Sequence, residues 1–149
     1  MKLTSFTDYS LRVLIYLAAQ PERRATIAEI ARTFEISESH LTKVVHFLSQ
    51  QGWLITIRGK GGGMGLGMPA AEIGIGQVVR ATEGPDVPAA CFGAQPDSCV
   101  ITDACRLKAL LKKAAEAFHA VLDEYTLADL VRNRTVLAQI LQLRPVRAA

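Results

Sequence analysis

The chain has 149 residues, half of them hydrophobic and 21% charged, which is too apolar for a disordered chain and sufficient for one compact domain with an appendage. Its longest uninterrupted apolar run, residues 13–19, is far shorter than the roughly 18 residues of a membrane span. Asp8 and Arg12 interrupt any secretory leader, so a cytoplasmic protein is expected. The net charge of +3 arises wholly in residues 1–70, where eight Lys or Arg face five Asp or Glu. Residues 71–149 carry nine of each, so any polyanion partner is expected on the first half.

Residues 5–20 read as a helix, with Leu11, Leu14, Ile15 and Ala18 at helical spacing, a capping box from Ser5 to Asp8, and Pro21 as the stop. Thr26 and Glu29 open a second, shorter helix that ends near Phe34, with Ile27, Ile30 and Ala31 on its apolar face. After a brief turn, Ser37 caps a third helix running to about Gln50. Its buried stripe is Leu41, Val44, Val45 and Leu48, and Gly52 is its stop. Residues 53–57 form a strand and residues 64–68 a returning one, joined by the basic glycine-rich turn at 58–63. A helix follows over 73–82.

Residues 84–104 read as an irregular loop carrying three cysteines. A long helix starts near Asp103. Leu107, Leu111, Ala114, Phe118, Val121 and Tyr125 alternate four and three residues apart along it, the spacing of a coiled-coil seam. Thr126 and Asp129 box the start of one more short helix, and the tail beyond Arg144 is expected to be mobile. The expected fold is mainly α: a winged helix-turn-helix with a small β-hairpin wing and a long C-terminal dimerisation helix. The expected division is a DNA-binding domain over 1–83, a cluster-binding loop over 84–105, a dimerisation helix with a short capping helix over 106–132, and a tail over 133–149.

In a helix-turn-helix the second helix of the pair enters the major groove. On the third helix, Ser39, Lys43, His46 and Gln50 point away from the apolar stripe, flanked by His40 and Thr42. These short polar and basic groups suit base edges and phosphates, and Ser37 offers its helix start to a phosphate. Arg58 and Lys60 sit among glycines that let the wing backbone approach a groove. An ordinary solvated face is the alternative for the helix alone, and the basic hairpin that follows favours DNA. For His40 and His46 a surface role is simpler than a metal or pH switch.

Cys91, Cys99 and Cys105 lie within 15 residues, and an odd count in a cytoplasmic chain argues against a disulfide framework. The gaps are wider than zinc knuckles, and three thiolates do not close a zinc site. An iron–sulfur cluster held by these three and a fourth ligand elsewhere fits better, with three unrelated thiols as the alternative. The only later histidine, His119, lies fourteen residues beyond Cys105, about 21 Å along a helix, so no nucleophile–base pair and no enzyme is expected.

Four stretches carry a resemblance. They are Thr4-Ser5-Phe6-Thr7-Asp8-Tyr9 with Leu11-Arg12 and Leu14-Ile15-Tyr16; the wing Ile57-Arg58-Gly59-Lys60-Gly61-Gly62-Gly63; Ile101-Thr102-x-Ala104-Cys105-Arg106-Leu107-Lys108; and Leu122-Asp123-x-Tyr125-Thr126-Leu127-Ala128-Asp129-Leu130. Together they resemble the NsrR group of nitric-oxide-sensing iron–sulfur repressors, of the same winged-helix family as IscR, from Leu3 to about Val131. The resemblance implies a homodimer, a long helix that crosses to the partner, and a cluster on Cys91, Cys99 and Cys105. It implies a [4Fe–4S] rather than a [2Fe–2S] cluster, with Asp8 of the other subunit as fourth ligand. IscR-like chains use a histidine three residues after the last cysteine, where this chain has Lys108. On residues alone, Asp8 is equally a capping residue or the ion-pair partner of Arg12.

The expected function is a homodimeric repressor that binds a roughly palindromic double-stranded operator and is controlled by a cluster that reacts with nitric oxide. The alternatives are a regulator of the same architecture answering to iron–sulfur status or redox state, a cluster-carrying or electron-transfer protein, and a structural zinc protein.

Overall fold

The computed structural model describes residues 2–59, 61–84, 92, 100–101 and 104–141. Helix α1 (Ser5–Ala19) begins at Thr4, whose side chain accepts a hydrogen bond from the Thr7 backbone N–H. The expected box between Ser5 and Asp8 is therefore replaced by a cap one residue earlier. The reason is tertiary: the Thr4 N–H and hydroxyl both donate to Glu83 at the far end of another helix, at 2.7 and 3.1 Å. That contact fixes Thr4 in the extended conformation a cap requires. Asp8 is released from capping and pairs with Arg12 at 2.8 Å.

Helix α2 (Ile27–Phe34) is capped by Thr26, which accepts from the Glu29 N–H. The spacing of Thr26 and Glu29 is that of a capping box, and only that half of it forms, because the Glu29 carboxylate turns inward to Arg23 and to the Tyr16 hydroxyl. Glu35 then adopts a left-handed conformation, φ 55°, and sends the chain into α3 (Glu38–Gln50), capped by Ser37. Gly52, also left-handed, ends α3, and the Trp53 N–H reaches back to the Leu48 carbonyl at 3.1 Å.

Strands β1 (Leu54–Ile57) and β2 (Gly63–Leu66) form the antiparallel wing, with Leu54 opposite Leu66 and Ile57 opposite Gly63. Ala25 adds an isolated bridge beside β2 by exchanging two backbone hydrogen bonds with Met64, a contact that the sequence did not signal. A 3-10 turn (Ala70–Glu72) leads to α4 (Ile75–Glu83), which starts two residues later than expected. The long helix is α5 (Arg106–Asp123), followed by α6 (Leu127–Leu130) with its expected Thr126–Asp129 capping box. Residues 134–140, read from sequence as part of a tail, form a further helix, α7 (Arg134–Ile140). The expected mobile segment beyond Arg144 lies outside the described residues.

The core gathers Val13, Leu14 and Ala18 of α1, Leu41, Val44 and Leu48 of α3, Val78 of α4, Leu127 of α6 and Val131 just beyond it, all fully buried. Each large aliphatic side chain buried in this way contributes about 1.5–3 kcal/mol. The arrangement is a winged helix-turn-helix to which α6 adds core side chains. The end of α5 is stitched to the start of α4: the Ile75 N–H donates to the Tyr125 carbonyl at 2.9 Å and the Leu127 N–H to the Ile73 carbonyl at 2.8 Å. A Cβ on Gly76 would lie 3.1 Å from the Asp123 backbone nitrogen, so a glycine there lets the two helices approach. Arg80 pairs with Asp123 across the same junction.

Candidate nucleic-acid interface and cluster ligands

Helix α3 divides cleanly. Leu41, Val44, Val45 and Leu48 are buried, whereas Ser39, His40, Thr42, Lys43 and His46, together with Ser37 at the cap, are exposed. The Ser37 hydroxyl accepts from the His40 N–H at 3.4 Å and lies 3.3 Å from the Ser39 hydroxyl. The Thr42 hydroxyl donates to the Glu38 carbonyl at 2.8 Å, which commits its proton to the helix and leaves its oxygen free to accept. Lys43 forms no ion pair among the described residues. All six residues expected there, five on α3 and Ser37 at its cap, are thus exposed to solvent.

The first two turns of α1 rest on this helix. Phe6 packs edge-on against Phe47 with ring centroids 5.4 Å apart, and the Tyr9 ring lies 6.3 Å from the His40 ring. His40 therefore has an aromatic neighbour although it is exposed.

Arg58 is exposed at the end of β1, and Lys60 lies outside the described residues. The wing turn is closed by the Gly62 N–H donating to the Gly59 carbonyl at 2.8 Å. A Cβ at Gly62 would stand 2.4 Å from the Ile57 carbonyl oxygen, so this turn admits only glycine there. A groove of about 450 Å³ runs between wing and helices, lined among others by Thr26, Ile27, Val45, Ile57 and Gly62.

Of the four expected cluster ligands, two can be placed. Cys105 is the N-cap residue of α5, half-buried, its thiol free and unused by the cap. Asp8 sits one turn into α1, its carboxylate partly exposed and held by Arg12, whose guanidinium also lies over the Phe34 ring at 5.8 Å. Cys91 and Cys99 lie outside the described residues. Among the described residues no cluster of three or more metal-ligating side chains is found.

Sequence reasoning missed two polar ties. Glu83 collects the Thr4 N–H and hydroxyl. Burial alone would raise its pKa, but bonds from the Thr7 side chain and from Thr4 outweigh burial and lower it. The second tie is Tyr16–Glu29–Arg23. Burial, then the bond to Glu29, pushes the Tyr16 phenol up. Nothing local announces either tie, because each joins groups brought together only by packing. The Arg23-Arg24 pair was a visible signal: Arg23 turns inward to Glu29, while the Arg24 guanidinium donates to the Gly61 carbonyl at 3.2 Å.

The family model Rrf2, described as an iron-dependent transcriptional regulator, matches residues 3–133. The chain is 50% identical over 145 residues to the HTH-type transcriptional regulator NsrR of Bacillus subtilis (strain 168), covering 97% of this chain and 99% of that one. It is 48% identical over 145 residues to the regulator of the same description from Geobacillus kaustophilus (strain HTA426), with the same coverage. Among solved structures it is similar to Staphylococcus aureus CymR, with a TM-score of 0.69 and 27% identity over 87% of this chain and 97% of that one.

Proposed function

This chain belongs to the Rrf2 family of iron-dependent transcriptional regulators, and from that premise we propose that it is a homodimeric DNA-binding repressor whose grip on a roughly palindromic operator is set by an iron–sulfur cluster that reacts with nitric oxide. It acts in the cytoplasm, and no helix among the described residues is long and apolar enough to cross a membrane. The observation that carries the DNA-binding half is the polar surface of α3: Ser37, Ser39, His40, Thr42, Lys43 and His46 all face solvent while the opposite stripe is buried. Arg58, exposed at the end of β1, adds a cation on the wing. A major-groove reading helix beside a cationic wing needs this arrangement.

The donor set fits an iron–sulfur cluster. Cys105 offers a thiol that makes no capping bond, and Asp8 offers a carboxylate that capping does not use. With Cys91 and Cys99 they would give three thiolates and one oxygen ligand, the oxygen from Asp8 of the partner subunit. When bound, a [4Fe–4S] cluster of this kind supplies an iron with a weaker oxygen ligand, open to nitric oxide. The chain's own part is transmission. Asp8 lies between Phe6 and Tyr9, which pack on Phe47 and His40 of the reading helix. What holds or releases the Asp8 carboxylate is felt one contact away by α3, and in a dimer two such helices must keep the spacing of two half-sites.

The test is anaerobic purification of wild type and Asp8→Ala, with absorbance spectra, iron and sulfide analysis and gel shifts before and after nitric oxide. Wild type is expected to be coloured, to contain iron and labile sulfide, and to release its operator on nitric oxide. Asp8→Ala is expected to lose part of that response. Protein free of both iron and sulfide overturns the cluster, and an affinity untouched by nitric oxide overturns the signal. The family's description as iron-dependent favours one second reading, a regulator answering to cluster status itself. Release of DNA on iron chelation but not on nitric oxide would select it.

A further inference from the structure

The wing has a second cationic anchor that is remote from it in sequence. Arg24 lies in the loop between α1 and α2, and three observations fix it against the wing. Its neighbour Ala25 exchanges hydrogen bonds with Met64 of β2, at 3.0 and 2.8 Å. A Cβ on Gly63 would stand 3.1 Å from the Arg24 Cβ and 2.9 Å from the Ala25 carbonyl oxygen, so only glycine lets this loop lie so close. Finally, the Arg24 guanidinium donates to the Gly61 carbonyl in the middle of the wing turn, at 3.2 Å.

The chemistry of the group then matters. A guanidinium has five N–H donors in a rigid fork, and the Gly61 bond engages one nitrogen. Arg24 is exposed and pairs with no carboxylate among the described residues, in contrast to Arg23, whose charge is met by Glu29. The turn it touches is rich in glycine, so its shape depends on outside clamps more than an ordinary turn would. The clamp is itself a cation, and it lies on the wing whose first strand ends at the exposed Arg58.

We infer that Arg24 is a DNA-binding residue, holding the wing turn through the Gly61 carbonyl and presenting its remaining N–H groups to a backbone phosphate. This rests on the DNA-binding reading above. A phosphate contact carries charge rather than sequence information, so Arg24 adds to affinity on every duplex and steepens the salt dependence.

The experiment uses the full-length holo-protein and two duplexes: one selected by wild type from a random pool, and one of mixed sequence. Anisotropy titrations at several salt concentrations compare wild type, Arg24→Ala, Arg24→Lys and Lys43→Ala, with thermal melts confirming that each variant is folded. Arg24→Ala is expected to bind both duplexes about tenfold more weakly, with the salt slope smaller by about one. Arg24→Lys is expected to keep the slope but recover only part of the affinity, because a point charge replaces the fork. Arg24→Ala within twofold of wild type, or weakened with an unchanged slope, overturns the inference. If wild type itself selects no sequence and Lys43→Ala changes nothing, the DNA-binding reading fails instead.

Discussion

Helices α3 and α5 are both amphipathic, yet the chain completes one and leaves the other open. On α3 every aliphatic of the predicted stripe is buried, so its polar face is the only surface it presents. On α5 no residue is buried at all. At 100° per residue its apolar stripe is wide, and the head covers one edge only. Phe118 and Leu122 rest on the core, while Leu110 and Val121 on the other edge are 63% and 56% exposed. Leu107 and Tyr125 are also largely exposed. The sequence pattern that announced a seam is thus shared between the chain's own core and an apolar edge that the head leaves exposed. An apolar face repeated along a helix tells that something covers it, not what does.

This contrast breaks most sharply at Leu48, which is fully buried in α3. Leu48→Ala is expected to lower stability by about 2–5 kcal/mol, read from the urea midpoint. A loss no larger than at an exposed site would mean that the head tolerates a cavity there and that α3 is less fixed than its burial implies. The complementary change is Leu110→Glu on the open edge of α5. Here the fold should survive, with helical circular dichroism retained, while sedimentation velocity shows the proposed dimer shifted to monomer. A variant as dimeric as wild type would move the subunit interface off this edge.

The smallest effect tests the tie between the ends of α1 and α4. Glu83 has a folded pKa below its ordinary value, because bonds from Thr7 and Thr4 outweigh its burial. Its contribution is therefore present above the unfolded value of about 4.3 and is lost as pH falls through the lower folded value. Glu83→Gln should flatten that part of the stability-against-pH curve and leave the region near neutrality almost unchanged, since the tie is solvent-exposed. An unaltered acid limb would show that Thr4 is held without the charge.

Much of the head was legible. The stripe of Leu41, Val44, Val45 and Leu48, the Ser37 cap and the Gly52 stop are local signals that packing did not override. The polar face of α3 followed from them, because burying one side of a helix dictates the other. The α1 cap was misplaced by one residue because Ser5 and Asp8 match a box as well as Thr4 does, and only Glu83, 79 positions away, decides between them. The Ala25 bridge was invisible for the same reason: a single bridge residue carries no periodicity. Leu127 and Val131 read as the end of an appendage, yet they are fully buried among the side chains of the head. Helix α7 has short, ordinary helical spacing that composition did not distinguish from a tail.

The sequence by itself determined helix α3, its exposed side chains, the glycine-rich wing and the grouping of three cysteines, because each rests on patterns within a few residues. Tertiary structure alone decided that Asp8 is free of its cap, that Arg24 belongs to the wing, and that α5 is anchored at its C-terminal end. Those outcomes depend on hydrogen bonds and close approaches between segments 37 or more residues apart, from Arg24 with Gly61 across 37 positions to Arg80 with Asp123 across 43. No local pattern encodes such pairs, because their energy exists only once the core has brought the partners together.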